Sequence, residues 1–202
     1  MTKAEEKRLA EFEAMSDRLI AEGYRRTDLQ IDIVKANIFS VGLMIVYGLL
    51  AAFLFFMVHI SGGVSFDIPK MLLFVVLIFV LIVVHELIHG ATWAIFSEHH
   101  WKDISFGFMV KTLTPYCTCK TPLGKWQYIA GALMPLILLG IVPTVVAIFN
   151  GSFLTLLLGI VMVAGAAGDI LIVWKFLRHQ VTGQEVLYID HPTAAGSVVF
   201  ER

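Results

Sequence analysis

Residues His85-Glu86-Leu87-Ile88-His89 carry the spacing a helix needs to present two imidazoles to one metal ion. Four positions along a helix is about one turn, so His85 and His89 share a face. Glu86 is rotated by ~100° from His85, which places its carboxylate beside a bound metal instead of on it. Zinc lowers the pKa of a bound water to about 7, and the resulting hydroxide attacks an amide carbonyl. The expectation is that His85 and His89 ligate Zn2+ while Glu86 takes the proton from the water.

A catalytic zinc has three protein ligands and one open position. Asp169 is the only acidic residue within the last apolar stretch of the chain, and it is the expected third ligand. Ile68 to His85 and Ser152 to Asp169 are both 17 residues. If both stretches are helices starting at the same surface, His85 and Asp169 lie at similar depth, ~26 Å in. The small residues Gly165, Ala166, Ala167 and Gly168 would let that helix approach a neighbour closely. Other candidates carry less. His99 and His100 are adjacent on a loop, His59 lies near the opposite surface, and His179 and His191 belong to the tail. Cys117 and Cys119 form a C-x-C without a second pair, a poor metal signature, although either could line the site.

These residues must be held by apolar elements. The chain has 202 residues, 58 % hydrophobic and 15 % charged, with mean hydropathy +0.81. Soluble domains have about 25 % charged residues. Fifteen of the 31 charges fall in residues 1–36. No charge occurs between Lys35 and Asp67, between Lys70 and Glu86, or between Lys125 and Asp169. A membrane-crossing helix needs about 20 apolar residues. The uncharged gaps therefore predict spans near Ile38–Val58, Ile68–Phe96, Trp126–Phe149 and Phe153–Phe176. Turns are expected at Ser61-Gly62-Gly63 and Asn150-Gly151-Ser152, and kinks at Pro135 and Pro143.

Lys and Arg near the span ends divide 14 to 1, with Lys70 alone on its side. This predicts a multi-pass cell-membrane protein with both termini and the middle loop cytoplasmic. The N-terminus, with eight acidic residues in 1–36 and no early apolar run, does not read as a signal peptide. Leu9, Phe12, Met15 and Leu19 predict an amphipathic helix on the membrane or on the protein, or a solvated helix leading to the first span. On the reducing side, Cys117 and Cys119 are not expected to form a structural disulfide. A net charge of −1 gives no reason to expect nucleic acid.

Between the second and third spans, Ile104–Val110 and Tyr116–Lys120 flank Thr114-Pro115. The alternation predicts a β-hairpin turning at Thr114-Pro115, dipping toward the bundle, whose edge could hold an extended substrate. Glu185–Phe200 reads as short strands around Asp190-His191-Pro192, capping the site or binding a partner. The predicted architecture is an all-α membrane protein of four transmembrane helices with that hairpin and a short stranded tail. It divides into an N-terminal segment 1–36, a transmembrane core 37–178 and a tail 179–202.

The motif His85-Glu86-Leu87-Ile88-His89-Gly90, the stretch Thr114-Pro115-Tyr116-Cys117 and the pair Gly168-Asp169, in a four-span layout, resemble the bacterial "putative zincin peptidase" membrane family. More distantly they are similar to the site-2 intramembrane metalloproteases. The resemblance covers about residues 35–200. It implies zinc on His85, His89 and Asp169, with Glu86 as base, facing the cytoplasm. The aspartate stands here in Ala-Ala-Gly-Asp-Ile, where site-2 proteases have Leu-Asp-Gly. No accessory substrate-binding domain is expected, so substrate selection falls to the core. The function expected is an intramembrane zinc endopeptidase acting on membrane proteins or peptides near the cytoplasmic side. The alternative is a non-catalytic metal-binding membrane protein: a transporter, a sensor or a pseudoprotease.

Overall fold

A computed structural model describes residues 3–60, 67–109 and 114–202. Helix α1 (Lys3–Ala21) and strand β1 (Arg25–Gln30) precede two long helices, α2 (Ile33–Val58) and α3 (Ile68–Phe96). A hairpin of β2 (Ile104–Met109) and β3 (Thr114–Cys119) follows. Next come α4 (Lys125–Pro135), a π-helical segment (Leu136–Ile141), α5 (Val142–Asn150), α6 (Phe153–Gly165) and α7 (Ala167–Arg178). Strands β4 (Val186–Asp190) and β5 (Gly196–Glu201) complete the fold.

The apolar helices start where an aspartate can cap them. Asp32 accepts from the backbone N–H groups of Val34 and Lys35, and Asp67 from that of Lys70. Three helical stretches, Ile33–Val58, Ile68–Phe96 and Lys125–Asn150, are long and apolar enough to cross a membrane. Large side chains such as Val46, Leu49 and Phe79 stand exposed on α2 and α3, which is compatible with membrane insertion. Pro135 and Pro143 bracket the π-helical segment, so the expected kinks take the form of a widened turn.

The fourth apolar stretch differs from the single helix expected. It breaks between α6 and α7 with a bend of 44°. Gly165 and Gly168 weaken the helix there, and the carbonyl of Ala164 accepts from Ser40 Oγ of α2 at 2.7 Å. The break puts Asp169 in the first turn of a new helix.

The hairpin forms, but Thr114-Pro115 is not its turn. Thr114 and Pro115 lie in β3, paired with Met109 and Phe108. The residues that join the strands, 110–113, lie outside the described residues, as does the turn expected at Ser61-Gly62-Gly63. The hairpin packs against α3 at Gly90, where a Cβ would come within 2.7 Å of Phe106 and 2.9 Å of Ile104.

The N-terminal and C-terminal segments meet in one antiparallel sheet of order β1-β5-β4. Val198 and Phe200 of β5 face α1, where Phe12 and Leu19 bury themselves, so the amphipathic helix lies on the protein. Val199 and Tyr188 face the other way, toward Leu123 before α4 and toward Tyr128 and Phe176 of the helical bundle. Strand β1 is polar, Arg25-Arg26-Thr27-Asp28-Leu29-Gln30, and has no apolar alternation to announce it. It forms because β5 offers it a free edge.

Candidate metal centre

Helix α3 holds His85 and His89 on one face, 8 % and 5 % exposed. Asp169 reaches them from α7. Its Oδ2 lies 3.3 Å from His85 Nε2, and its Oδ1 lies 3.6 Å from His89 Nε2. The ligand atoms of all three residues fall within 4.8 Å of one another. With metal–ligand bonds of ~2.1 Å, the edges of a tetrahedron are ~3.4 Å, so the two carboxylate–imidazole spacings fit a zinc ion between them.

The protonation of His89 sharpens this fit. Its Nδ1 lies 2.9 Å from the carbonyl oxygen of Gly131, which can only accept, so Nδ1 carries the proton. In the neutral ring, Nε2 then presents a lone pair toward the Asp169 carboxylate. Two acceptors face one another at that point, and a second proton or a cation must lie between them. A divalent metal would serve His85, His89 and Asp169 together, and the donor set suits zinc.

Trp93, one turn beyond His89, fixes the same ring from the side. The two rings stack with centroids 5.2 Å apart and planes 15° off parallel. Trp93 Nε1 donates to the Tyr128 carbonyl at 3.2 Å. Gly131 is required here, because a Cβ would run into the Trp93 ring. Trp93 and Gly131 are supports that sequence reasoning did not single out. The i+4 spacing of Trp93 from His89 is a signal that could have pointed to it.

Glu86 lines the same cavity as the three ligand candidates, and its carboxylate faces the backbone N–H of Cys117. The cavity has a volume of about 310 Å³. Its wall includes the small residues Ala36, Ala132, Gly165 and Gly168. Toward the sheet it is lined by Arg8, Tyr116, Thr118, Asp190 and His191. Residues of the loop between β4 and β5 thus line one side of the cavity. Asp190 accepts from the Tyr128 hydroxyl and from the Cys119 backbone N–H, tying the sheet to α4 and to the hairpin. Burial outweighs those bonds and pushes the Asp190 carboxyl up to about 6.

The weaker candidates have other partners. His59 donates to the Ile148 carbonyl at 2.9 Å, and His100 donates to that of Ala94 at 2.8 Å. His99 lies 3.4 Å from Asp103, and His179 lies 3.9 Å from Glu201. Cys117 lines the cavity, and burial pushes its thiol up, so it forms a neutral wall. Cys119 does not line the cavity. Lys175 donates to the Gln30 carbonyl and leaves Asp169 to the histidines.

A helical protein with a His-His-Asp cluster and a glutamate in one cavity defines a class of candidate metalloenzymes. The profile of the family described as "Putative zincin peptidase" matches residues 78–182, more than half of the chain, and the chain belongs to that family. The match spans His85, Glu86, His89 and Asp169. Comparison with curated proteins and with solved structures found no match.

Proposed function

We propose that this member of a metallopeptidase family is an intramembrane zinc endopeptidase. Its substrates are peptide bonds of membrane-embedded or membrane-associated proteins, cut near the cytoplasmic side. The observation that carries the reading is the convergence of His85, His89 and Asp169, from two helices of an apolar bundle, beside Glu86 in one cavity. Charged groups are costly within a spanning segment, which favours a functional role for Glu86 and Asp169. The distribution of Lys and Arg supports an orientation with the sheet and the hairpin on the cytoplasmic side.

His85, His89 and Asp169 would hold the zinc, which would supply Lewis-acid chemistry there. The protein's own part is proton handling and alignment. The Glu86 carboxylate takes the proton of the attacking water and delivers it to the leaving amine. The Cys117 backbone N–H, facing that carboxylate, holds it in place. Gly131 and Trp93 hold His89 in the tautomer and orientation that leave Nε2 free. A peptide bond within a helix is shielded, so the substrate must be extended, and β3, with Pro115–Thr118 lining the cavity, offers strand backbone to receive it.

Glu86→Gln tests the assignment. Cleavage of a membrane-protein reporter should fall by roughly 10²–10⁴-fold with zinc content unchanged. A variant that cuts at the wild-type rate removes Glu86 from the reaction.

A further inference from the structure

The cavity wall holds three carboxylates, Glu86, Asp169 and Asp190, and among the described residues its only Lys or Arg is Arg8. Arg8 arrives from α1, far from the metal-ligand residues in sequence. Its guanidinium is fixed in place: one nitrogen donates to the Pro192 carbonyl, and the group lies over the Tyr116 ring at 4.4 Å from the centroid. Its Nε is buried and has no hydrogen-bond partner. Among the described residues no carboxylate lies within ion-pair distance of it. Glu11, the acidic neighbour on α1, lies 3.7 Å from Lys7 instead. Asp190 has both oxygens engaged by Tyr128 and Cys119.

An immobilised cation with an unmet buried donor, on the wall of a cavity that also holds a candidate reaction centre, calls for an anionic ligand. Guanidinium matches the two oxygens of a carboxylate. We propose that Arg8 forms an anion subsite of the cavity that receives a carboxylate of the bound polypeptide and so sets substrate preference. That the ligand is a polypeptide rests on the peptidase reading; the subsite itself rests on Arg8. The carboxylate could belong to an acidic side group or to the polypeptide's free C-terminus, and both present the same chemistry to Arg8.

The test is binding to the zinc-loaded full-length protein in detergent, carrying Glu86→Gln so that peptides stay intact. The probes are short fluorescent Ala/Leu peptides in three forms. One has a Glu scanned through an amidated peptide, one has Gln in its place, and one has Gln with a free C-terminal carboxylate. With Arg8 present, a carboxylate-bearing form should bind about tenfold more tightly than the Gln amide, and the form that does so identifies the source. Arg8→Gln should bring the ratio to within about twofold, and Arg8→Glu should turn the preference toward peptides bearing Lys. Zinc content and melting temperature report whether each variant folds. If Arg8→Gln does not fold, Arg8→Lys carries the comparison and should weaken the preference without abolishing it. A protein that retains Arg8 and shows no preference, or a preference that survives replacement of Arg8, overturns the proposal. A protein that shows the Arg8-dependent preference while its Glu86 parent cuts nothing supports the subsite and overturns the peptidase reading.

Discussion

The helical bundle and the terminal sheet both bring histidine to a carboxylate, and the two solutions differ. In the sheet each carboxylate that faces a histidine already has an arginine. Glu201 pairs with Arg25 and also accepts from the Thr182 backbone N–H, while His179 stands off at 3.9 Å. Asp28 meets Arg26 at 2.8 Å and His191 at 3.7 Å. The Arg25 hydrogen bond holds Glu201 below the usual carboxylate range. In the bundle, Asp169 meets His85 and His89, and no Lys or Arg pairs with it among the described residues. A guanidinium, charged at any physiological pH, completes the first kind of cluster from within the protein. The second kind is completed by a proton or a metal from outside. The same residue types therefore read as architecture in one region and as a candidate metal centre in the other.

That contrast can be broken by moving a support on either side. In the bundle, Gly131→Ala forces a methyl group into the Trp93 ring that braces His89. Zinc affinity should fall by roughly 10–100-fold, measured by competition with a chelator, because the ligand's outer partners shift. In the sheet, Arg25→Ala leaves Glu201, whose side chain is 2 % exposed, without its cation. Stability should drop by about 1 kcal/mol, read as a lower melting temperature, with zinc content unchanged. Loss of zinc in Arg25→Ala would show that the two regions are not independent.

A pH-dependent effect lies at the joint between them. The Asp190 carboxyl, held up at about 6 against an ordinary value near 3.8, keeps its proton in the folded protein over a range where the unfolded one has released it. The native state binds more protons in that window, so stability should fall as pH rises from about 4 to about 6. Asp190→Asn should flatten that part of the curve, a difference of at most ~3 kcal/mol from this group. Melting temperatures of both proteins across that range check it, and parallel curves would remove Asp190 as the source.

How legible each region was in the sequence follows from the same physics. The bundle was readable because charge is scarce there. Glu86 and Asp169 stood out against apolar stretches, and equal depth predicted that His85 and Asp169 would meet. The break at Gly165–Ala166 was not foreseen, since small residues permit close helix packing and a bend alike. A distant hydroxyl, Ser40 Oγ, bonds a carbonyl at the break. The sheet was harder. Strand β1 is a polar segment whose only reason to extend is the edge of β5, some 170 residues away. Arg8 looked like one more charge on an amphipathic helix, and only the docking of α1 on the sheet brings it to the cavity. Pro115 suggested a turn by residue type, while its pairing with Phe108 places it within a strand.

The most direct test of the metal centre is metal analysis of the purified protein beside His85→Ala, Asp169→Ala and Arg25→Ala. About one zinc per molecule is expected in the wild type and in Arg25→Ala, with strong loss in the two bundle variants. Zinc retained at wild-type stoichiometry in Asp169→Ala and His85→Ala, or no metal in the wild type under zinc-replete conditions, would contradict it.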